Sequence, residues 1–167
     1  MTQLQEKQAR AFRDALGRFP TGVTVVGTVD AEGRPVGLTV NSFASVSLDP
    51  PLVLVCIGKA SSCHDALIGG DVFTVNILGE EQREVAERFA TEPSAARFRD
   101  VTWSPGPGGG PVLDGVSGWL ACRREAVHDG GDHSILIGRV EALEVGDEPP
   151  LVFHRGEYAT VSRRDRP

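Results

Sequence analysis

Long hydrophobic runs are missing from this sequence, and their absence bears on where the protein resides. No segment approaches the roughly 20 consecutive apolar residues that a membrane-spanning helix requires. The first residues, MTQLQEKQARAF, lack the apolar core of a signal peptide. Cysteine is scarce as well: Cys56, Cys63 and Cys122 form an odd set without close pairing, which is typical of reduced thiols. We therefore expect a cytoplasmic protein.

Basic residues are also few. The formal net charge is −6 and no basic stripe runs along the chain, which argues against a surface for nucleic acid. The run of Arg163, Arg164 and Arg166 is short and terminal, and we interpret it as a solvated tail. Lysine occurs only at Lys7 and Lys59, which draws attention to Lys59.

Several catalytic and metal-binding motifs are missing too. The sequence contains neither the GxGxxG nor the GxxxxGKS or GxxxxGKT fingerprint of nucleotide-binding loops, and it has no GxSxG elbow of a serine hydrolase. Cys63 and His64 are adjacent, but no second cluster of cysteine or histidine stands at the spacing of metal ligands. We expect no metal site.

What is present favours one mainly β domain. The 167 residues are 40% apolar, enough to bury a core without disulfides or metal. Apolar spacing predicts a helix over 4–19, with further short helices within 59–70 and 79–90. Seven or eight strands follow one another at hairpin spacing, which favours an antiparallel barrel over a parallel sheet. We expect the apolar run 52–58 to be a strand buried on both faces, and 91–111 to be a long irregular loop.

One predicted strand carries many small polar side chains. The segment VGLTVNSFASVSLDPP places Thr39, Asn41, Ser42, Ser45 and Ser47 before two prolines. Short hydroxyl and amide groups, with backbone N–H groups beside them, can surround an anionic or amide-rich ligand without adding net charge. The alternative is a strand end whose hydroxyl groups satisfy local turns.

A second polar cluster follows the apolar run. Lys59, Ser61 and Ser62 lie between a strand and a helix, where exposed N–H groups and the lysine charge favour a phosphate. The alternative is that Ser61 or Ser62 caps the helix and that Lys59 is a surface residue. Together the two clusters predict a phosphorylated cofactor rich in hydrogen-bonding groups.

A third feature is His133, which follows a glycine-rich turn in DGGDHSILIGRV. Histidine donates or accepts a proton near neutral pH, so this position is a candidate for catalysis. The alternative is a strand-end histidine bonded to the backbone. His64, His128 and His154 have no comparable setting, and we interpret them as surface or structural residues.

Beyond these single features, nearly the whole chain, from about 12 to 161, resembles the short-chain flavin reductases, the reductase partners of two-component flavin-dependent monooxygenases. The similarity is carried by FPTGVTVVGTVDAEGRPVGLTVNSFASVSLDPPLVLVCI and continues through FTVNIL, EEQREVAERFA, GGDHSILIGRV and PLVFHRGEYATV. The resemblance implies a split antiparallel β-barrel of the FMN-binding type with about three short helices, assembled as a homodimer. It implies NAD(P)H-dependent reduction of flavin and release of the reduced flavin to a partner monooxygenase.

The resemblance also implies roles for residues. The flavin-contacting segments of the family match Thr39, Val40, Asn41, Ser42, Ser45, Val46 and Ser47, and, toward the ribityl and phosphate end, Cys56, Ile57, Lys59, Ser61 and Ser62. The histidine of the family's GDH motif, here His133, lies near the nicotinamide. Arg155 and Tyr158 match the carboxy-terminal strand close to the same face.

These assignments lead to hypotheses about mechanism. Because hydride transfer belongs to the cofactors, we expect the backbone N–H groups of 39–47 to orient the flavin and stabilise its developing charge. For His133 we hypothesise nicotinamide positioning with proton donation. FAD is favoured over FMN, because a monooxygenase partner of this class often takes reduced FAD. NADH is favoured over NADPH, because no basic cluster clearly awaits a 2′-phosphate. The alternative that stays open is a flavin carrier on the same barrel without nicotinamide oxidation. The motifs of a further family on this barrel, which oxidises an amine such as pyridoxamine phosphate, are not found in the sequence.

Overall fold

The computed structural model describes residues 3–162, and the arginine tail discussed above lies outside them. Within this range the chain forms twelve β-strands and three α-helices, so the prediction of a mainly β, antiparallel fold is confirmed. The helices are α1 (Gln3–Leu16), α2 (His64–Gly69) and α3 (Arg83–Thr91). The strands are β1 (Thr21–Gly22), β2 (Thr24–Val29), β3 (Pro35–Val40), β4 (Ala44–Leu48), β5 (Pro51–Gly58), β6 (Val72–Ile77), β7 (Trp103–Pro105), β8 (Pro111–Leu113), β9 (Gly118–Gly130), β10 (His133–Val145), β11 (Val152–His154) and β12 (Glu157–Ala159).

Seven strands form the main sheet, in the order β3-β2-β6-β9-β10-β5-β4, and all pairs are antiparallel. The two edge strands, β3 and β4, are consecutive in the chain and are joined only by 41–43. In a flat sheet these edges would lie about 29 Å apart, because neighbouring strands are about 4.8 Å apart. The link spans at most about 14 Å. The sheet therefore curls until the end of β3 and the start of β4 approach each other, as in a split barrel.

The barrel interior is filled by alternate residues of its strands. Val26, Val55, Phe73 and Leu136 are at most 1% exposed and belong to one apolar cluster inside the curled sheet. A second cluster lies under α3, where Phe89 is fully buried. The packing of these two clusters holds in place the strands that carry the polar residues of the candidate site.

The burial of β5 differs from the expectation of a strand covered on both faces. Val53, Val55 and Ile57 are buried, but Leu54 and Cys56 on the other face are only half-buried. The strand is therefore buried on one face, and its sequence is continuously apolar because the half-buried outer face also carries apolar residues, Leu52, Leu54 and Cys56.

The segment 91–111 is more ordered than expected. It contains 3₁₀ turns at Ser94–Ala96 and Pro107–Gly109 and the strand β7, which pairs with β8. Phe98 explains part of this order, because it packs edge-to-face on Phe89 of α3, with ring centroids 4.8 Å apart, and on Trp103, at 5.8 Å. The sequence does not reveal this aromatic chain, because its three members follow no helical or strand period.

The helix predicted over 4–19 is present as α1 but ends at Leu16, and its apolar face is not covered within the described chain. Phe12, Leu16 and Phe19 are 65%, 58% and 74% exposed. No α-helix within residues 3–162 combines the length and the apolar character that crossing a membrane demands. In the same range, no three histidine, cysteine or acidic side chains gather where they would hold a metal ion.

Candidate functional site

The centre of the candidate site is the link between β3 and β4. Ser42 Oγ donates a hydrogen bond to the carbonyl oxygen of Cys56 (3.1 Å) and accepts one from the Cys56 N–H (3.0 Å). Asn41, beside it, is exposed. These bonds hold the polar link 41–43 beside Cys56 of β5. The polar segment before the two prolines and the cluster that follows β5 therefore become neighbours in space.

A cleft of about 1010 Å³ opens next to this link. Asn41, Ser42 and Arg155, three of the predicted site residues, lie in its wall. The opposite wall comes from the end of α1 and the residues after it, which the sequence analysis did not identify: Arg13, Arg18 and Phe19 among them. No local motif marks these residues, because their relevance depends on α1 meeting the turn between β11 and β12.

Three predicted residues turn their side chains into the protein. The hydroxyl of Thr39 donates to the carbonyl oxygen of Ala86 in α3, at 2.7 Å. Val40 is 6% exposed and Ile57 is fully buried. Toward a ligand these three positions offer backbone groups, and their side chains serve packing.

The predicted residues of β4 lie along an edge of the barrel. Ser45 and Val46 are exposed, and Ser47 is half-buried. The pairing of β4 with β5 is irregular between Ser45 and Ser47. Such a bulge increases local twist and redirects side chains, so the edge bends beside the 41–43 link.

The Lys59 cluster lies where β5 meets the tip of the β9–β10 hairpin. The Lys59 N–H donates to the carbonyl oxygen of Asp132 (2.9 Å), and its ammonium group forms an ion pair with the Asp129 carboxylate. The hydrogen bond from Lys59 holds the pKa of Asp129 below its usual range. Lys59 is the one positively charged residue among the predicted phosphate ligands, and it is therefore already paired with a carboxylate.

The serines of this cluster are arranged differently from the expectation of a helix cap. Ser61 Oγ accepts a hydrogen bond from the Cys63 N–H at 3.3 Å, which forms a turn before α2. The N-cap position of α2 is Cys63, and it has no side-chain cap. Ser62 is exposed. The alternative interpretation, a serine cap on this helix, was therefore wrong, because the chain turns once more before the helix begins.

His133 lies at the same hairpin tip. Its Nδ1 is 2.7 Å from Asp132 Oδ1, and it is paired with Gly58 across the β5–β10 ladder. The ring lies over Gly58: its Nε2 is 3.7 Å from the place where a Cβ on that glycine would be. The hydrogen bond with His133 lowers the pKa of Asp132, which keeps this carboxylate charged. The pair orients the imidazole and leaves Nε2 on the β5 side.

His64, interpreted from the sequence as surface or structural, lies behind this tip. Its Nε2 is 2.9 Å from Ser134 Oγ and its Nδ1 is 3.0 Å from Asp65 Oδ1. Ser134 is 6% exposed and directly follows His133. The contact attaches α2 to the strand that carries His133.

Tyr158 is separated from the other predicted residues. Its ring packs against Phe153, with centroids 5.4 Å apart, and the Arg83 guanidinium lies 5.6 Å from its centroid. Burial raises the pKa of its hydroxyl. Tyr158 is not in the cleft wall, whereas Phe153 is, so Tyr158 supports that wall from behind.

Asn41 and Ser42 of the polar link lie in the wall of the cationic cleft, and the Ser42 hydroxyl also joins this link to β5, where the oriented ring of His133 lies over Gly58. His133 and Lys59 are not in the wall of that cleft. A planar ligand with hydrogen-bonding edges and phosphate groups matches this combination. Backbone N–H groups can bond the edges of such a ligand, and arginine side chains can bond its phosphates.

Comparison with known proteins shows a match to the flavin reductase like domain over residues 16–162. The chain is 47% identical over 154 residues to the reductase component of a flavin-dependent trigonelline monooxygenase from Acinetobacter baylyi, covering 92% of this chain and 49% of the relative. It is 44% identical over 158 residues to SmoA, an NADH-dependent FMN reductase from Agrobacterium fabrum, covering 95% and 89%.

Solved structures give the same picture. The NADH:FAD oxidoreductase SgcE6 of Streptomyces globisporus, solved with NAD and FAD fragments, superimposes with a TM-score of 0.89 at 34% identity, covering 96% of each chain. This chain spans about half the length of the first curated relatives it matches.

Proposed function

Because this chain belongs to the family of flavin reductase like domains, we propose that it is an NAD(P)H-dependent flavin reductase. It transfers a hydride from NADH to FAD or FMN and supplies the reduced flavin to a partner monooxygenase. Relatives that act as a monooxygenase reductase component and as an NADH-dependent FMN reductase support this reading.

The observation that carries the proposal is the meeting of three distant segments. The Ser42 hydroxyl joins the 41–43 link to Cys56, and two residues further along β5 the ring of His133 lies over Gly58. A flavin site alone would require only the polar link and β5. The oriented imidazole beside them favours a second reactant, the nicotinamide.

The residues of this chain bind and orient rather than react covalently. The hydride-transfer chemistry is supplied by the flavin and the nicotinamide when both are bound. The exposed amide of Asn41 and the backbone N–H groups of 41–47 supply fixed dipoles for the flavin edge that becomes negatively charged. His133 Nε2 faces β5, and its Nδ1 contact with Asp132 fixes the ring, which is the arrangement a positioning residue needs.

Steady-state oxidation of NADH by the purified full chain, with FAD and FMN in turn, tests the proposal. The near-ultraviolet absorbance of NADH should fall catalytically only when flavin is present. A flavin carrier would bind the flavin and leave the NADH absorbance unchanged, so this result would contradict the proposal. Repeating the assay with NADPH ranks the two donors, and we expect NADH to be the better one.

The proposal includes a homodimer in the cytoplasm. The exposed apolar side chains of Phe12 and Leu16 in α1, and of Phe19 just after it, support association. Light scattering of the full chain should give twice the mass of one chain. A monomer at micromolar concentration would remove this part of the proposal and leave the catalytic part intact.

A further inference from the structure

The segment 58–64 is attached to the start of β10 at both of its ends. Near one end the Lys59 N–H donates to the carbonyl oxygen of Asp132, at 2.9 Å. At the other end His64 Nε2 lies 2.9 Å from the hydroxyl oxygen of Ser134. The first contact joins two backbones, whereas the second joins two side chains. The attachment at His64 therefore depends on the identity of that residue.

Two consecutive turns connect these attachments over a short stretch of chain. The Ser61 N–H donates to the carbonyl oxygen of Gly58 (2.9 Å), and the His64 N–H donates to that of Ser61 (3.0 Å). Gly58 is itself paired with His133 across the β5–β10 ladder. The chain thus leaves β5 beneath the ring of His133 and returns, through the side chain of His64, to the residue that follows His133.

The short helix α2, which begins at His64, cannot hold the segment in place by itself. It has six residues and no side-chain hydrogen bond at its N-cap position. Helices of this length are unstable in water without tertiary contacts. Cys63 and Leu67 are buried in the apolar cluster inside the barrel and anchor one side of this region. The hydrogen bond between His64 and Ser134 adds a directional contact with β10.

The imidazole of His64 is held in one orientation. Its Nδ1 is 3.0 Å from Asp65 Oδ1, and an ionised carboxylate can only accept a hydrogen bond. In the neutral imidazole, Nδ1 therefore carries the proton, and Nε2 accepts a hydrogen bond from the Ser134 hydroxyl. Ser134 is 6% exposed, so this hydroxyl depends on a partner within the protein.

Asp65, His64 and Ser134 are bonded in the same order as the triad of a serine hydrolase, but their setting does not suit a nucleophile. Ser134 is buried on the inner face of β10, so a substrate carbonyl cannot reach its hydroxyl. His133 lies on the opposite, exposed face, because side chains alternate along a strand. His64 thus bonds from the inside the strand that presents His133 on the outside.

We propose that His64 is a positioning residue for His133. Through Ser134 it attaches the backbone that carries the His133 ring to the segment 58–64, and so fixes this ring relative to the end of β5. The inference rests on the proposed function, in which His133 orients the nicotinamide beside a flavin near β5. Hydride transfer requires a narrow range of distances between the two reacting rings. His64 contacts neither ring and acts through the backbone of β10.

Two amide substitutions separate the hydrogen bonds of His64. The amide nitrogen of glutamine is as many bonds from Cβ as Nε2 is, so His64→Gln can keep the contact with Ser134. The amide nitrogen of asparagine corresponds to Nδ1, so His64→Asn keeps only the contact with Asp65. At saturating flavin, we expect His64→Ala and His64→Asn to lower kcat/KM for NADH by about three- to tenfold, and His64→Gln to retain it within about twofold. An unchanged alanine variant, or equal losses in all three variants, overturns the proposal.

A double-mutant cycle with His133 distinguishes positioning from a general loss of stability. If His64 acts through His133, then His64→Ala should change kcat/KM for NADH by less than about twofold in a chain that already carries His133→Ala. A loss of the same size in both backgrounds would mean that His64 supports the fold as a whole. That result contradicts the role proposed for it.

Hydrogen exchange of backbone amides tests the attachment without catalysis. Peptides covering 58–64 and 130–136 should exchange about two- to tenfold faster in His64→Ala than in the parent, as expected for one lost hydrogen bond, and at the parent rate in His64→Gln. Peptides from β2 and β6 should be unaffected. Unchanged exchange at the hairpin tip of His64→Ala overturns the proposal. Failure of the parent to oxidise NADH with any flavin would instead reject the proposed function, since exchange is measured without either reactant.

Discussion

The hydroxyl group of Ser42 bonds both backbone groups of Cys56 at the point where the β4–β5 ladder ends. The last regular pair of that ladder is Ala44 with Leu54, so a continued register would bring residue 42 opposite residue 56. A side chain therefore replaces the backbone of an edge strand. The Ser42 hydroxyl closes the barrel here with two hydrogen bonds to β5, so the backbone groups of the 41–43 link are not needed for this pairing.

Replacing Ser42 with alanine tests this closure. Ser42→Ala leaves the N–H and C=O groups of Cys56 without their partner in a partly buried position. We expect the free energy of unfolding to fall by about 1–3 kcal/mol, measured by urea denaturation. Ser45→Ala, at an exposed position of the same edge, should change it by less than about 0.5 kcal/mol. Equal small effects in both variants would show that the Ser42 bonds do not close the barrel.

His133 provides the second prediction. His133→Ala should lower kcat/KM for NADH by about tenfold or more, because the ring that positions the nicotinamide is lost. Asp132→Asn should lower it less, since it only loosens the orientation of the imidazole. His128→Ala, an exposed histidine of β9, is the control. If His133→Ala binds flavin normally and oxidises NADH with unchanged kcat/KM, the assignment of His133 is wrong.

The ion pair between Lys59 and Asp129 gives a prediction about the flavin phosphate. Because the carboxylate competes with a phosphate for the ammonium group, Asp129→Asn should increase the preference for FMN over riboflavin by about two- to fivefold. Lys59→Ala should decrease the same preference. Both are measured as ratios of dissociation constants from flavin fluorescence. Equal affinities of the parent for riboflavin and FMN would remove Lys59 from the phosphate site.

Local patterns in the sequence account for most of the fold. The α1 helix follows from apolar spacing, and the β9–β10 hairpin follows from the glycine turn before His133. The polar character of the segment around Ser42 was also visible, since hydroxyl residues are unusual in a core strand. Each of these features depends on neighbours in sequence, and a single sequence displays such neighbours directly.

Contacts between distant segments were not accessible in the same way. Lys59 and Asp129 are 70 positions apart, and Gly17 meets Arg155 across almost the whole chain. Neither pair has a distinctive local pattern, so the sequence indicated a phosphate ligand at Lys59 and gave no sign of Arg13 and Arg18. A basic side chain is available to a ligand only if no acidic side chain is paired with it. Which acidic side chain lies beside it depends on how the sheet curls.

Cys122 gives a prediction about alkaline pH. It lies opposite Phe73 on β6 and is 2% exposed. Burial, with a smaller contribution from the negative charge of Glu141, raises the pKa of the Cys122 thiol from 9.0 to about 12. In the unfolded chain the thiol loses its proton above about pH 9, whereas the folded protein keeps it. The contribution of Cys122 to the free energy of unfolding is therefore complete below this pH and declines as the pH rises toward 12.

Urea denaturation of the parent and of Cys122→Ala, from neutral pH to about pH 10.5, measures this effect. The difference in unfolding free energy between the two should be constant at neutral pH. Above about pH 9 it should shift against the parent by at most about 1.4 kcal/mol per pH unit. Cys56→Ala, which removes the half-buried thiol of β5 and leaves Cys122 in place, is the control variant. Parallel curves for all three proteins would show that the Cys122 thiol ionises as easily in the barrel as in the unfolded chain.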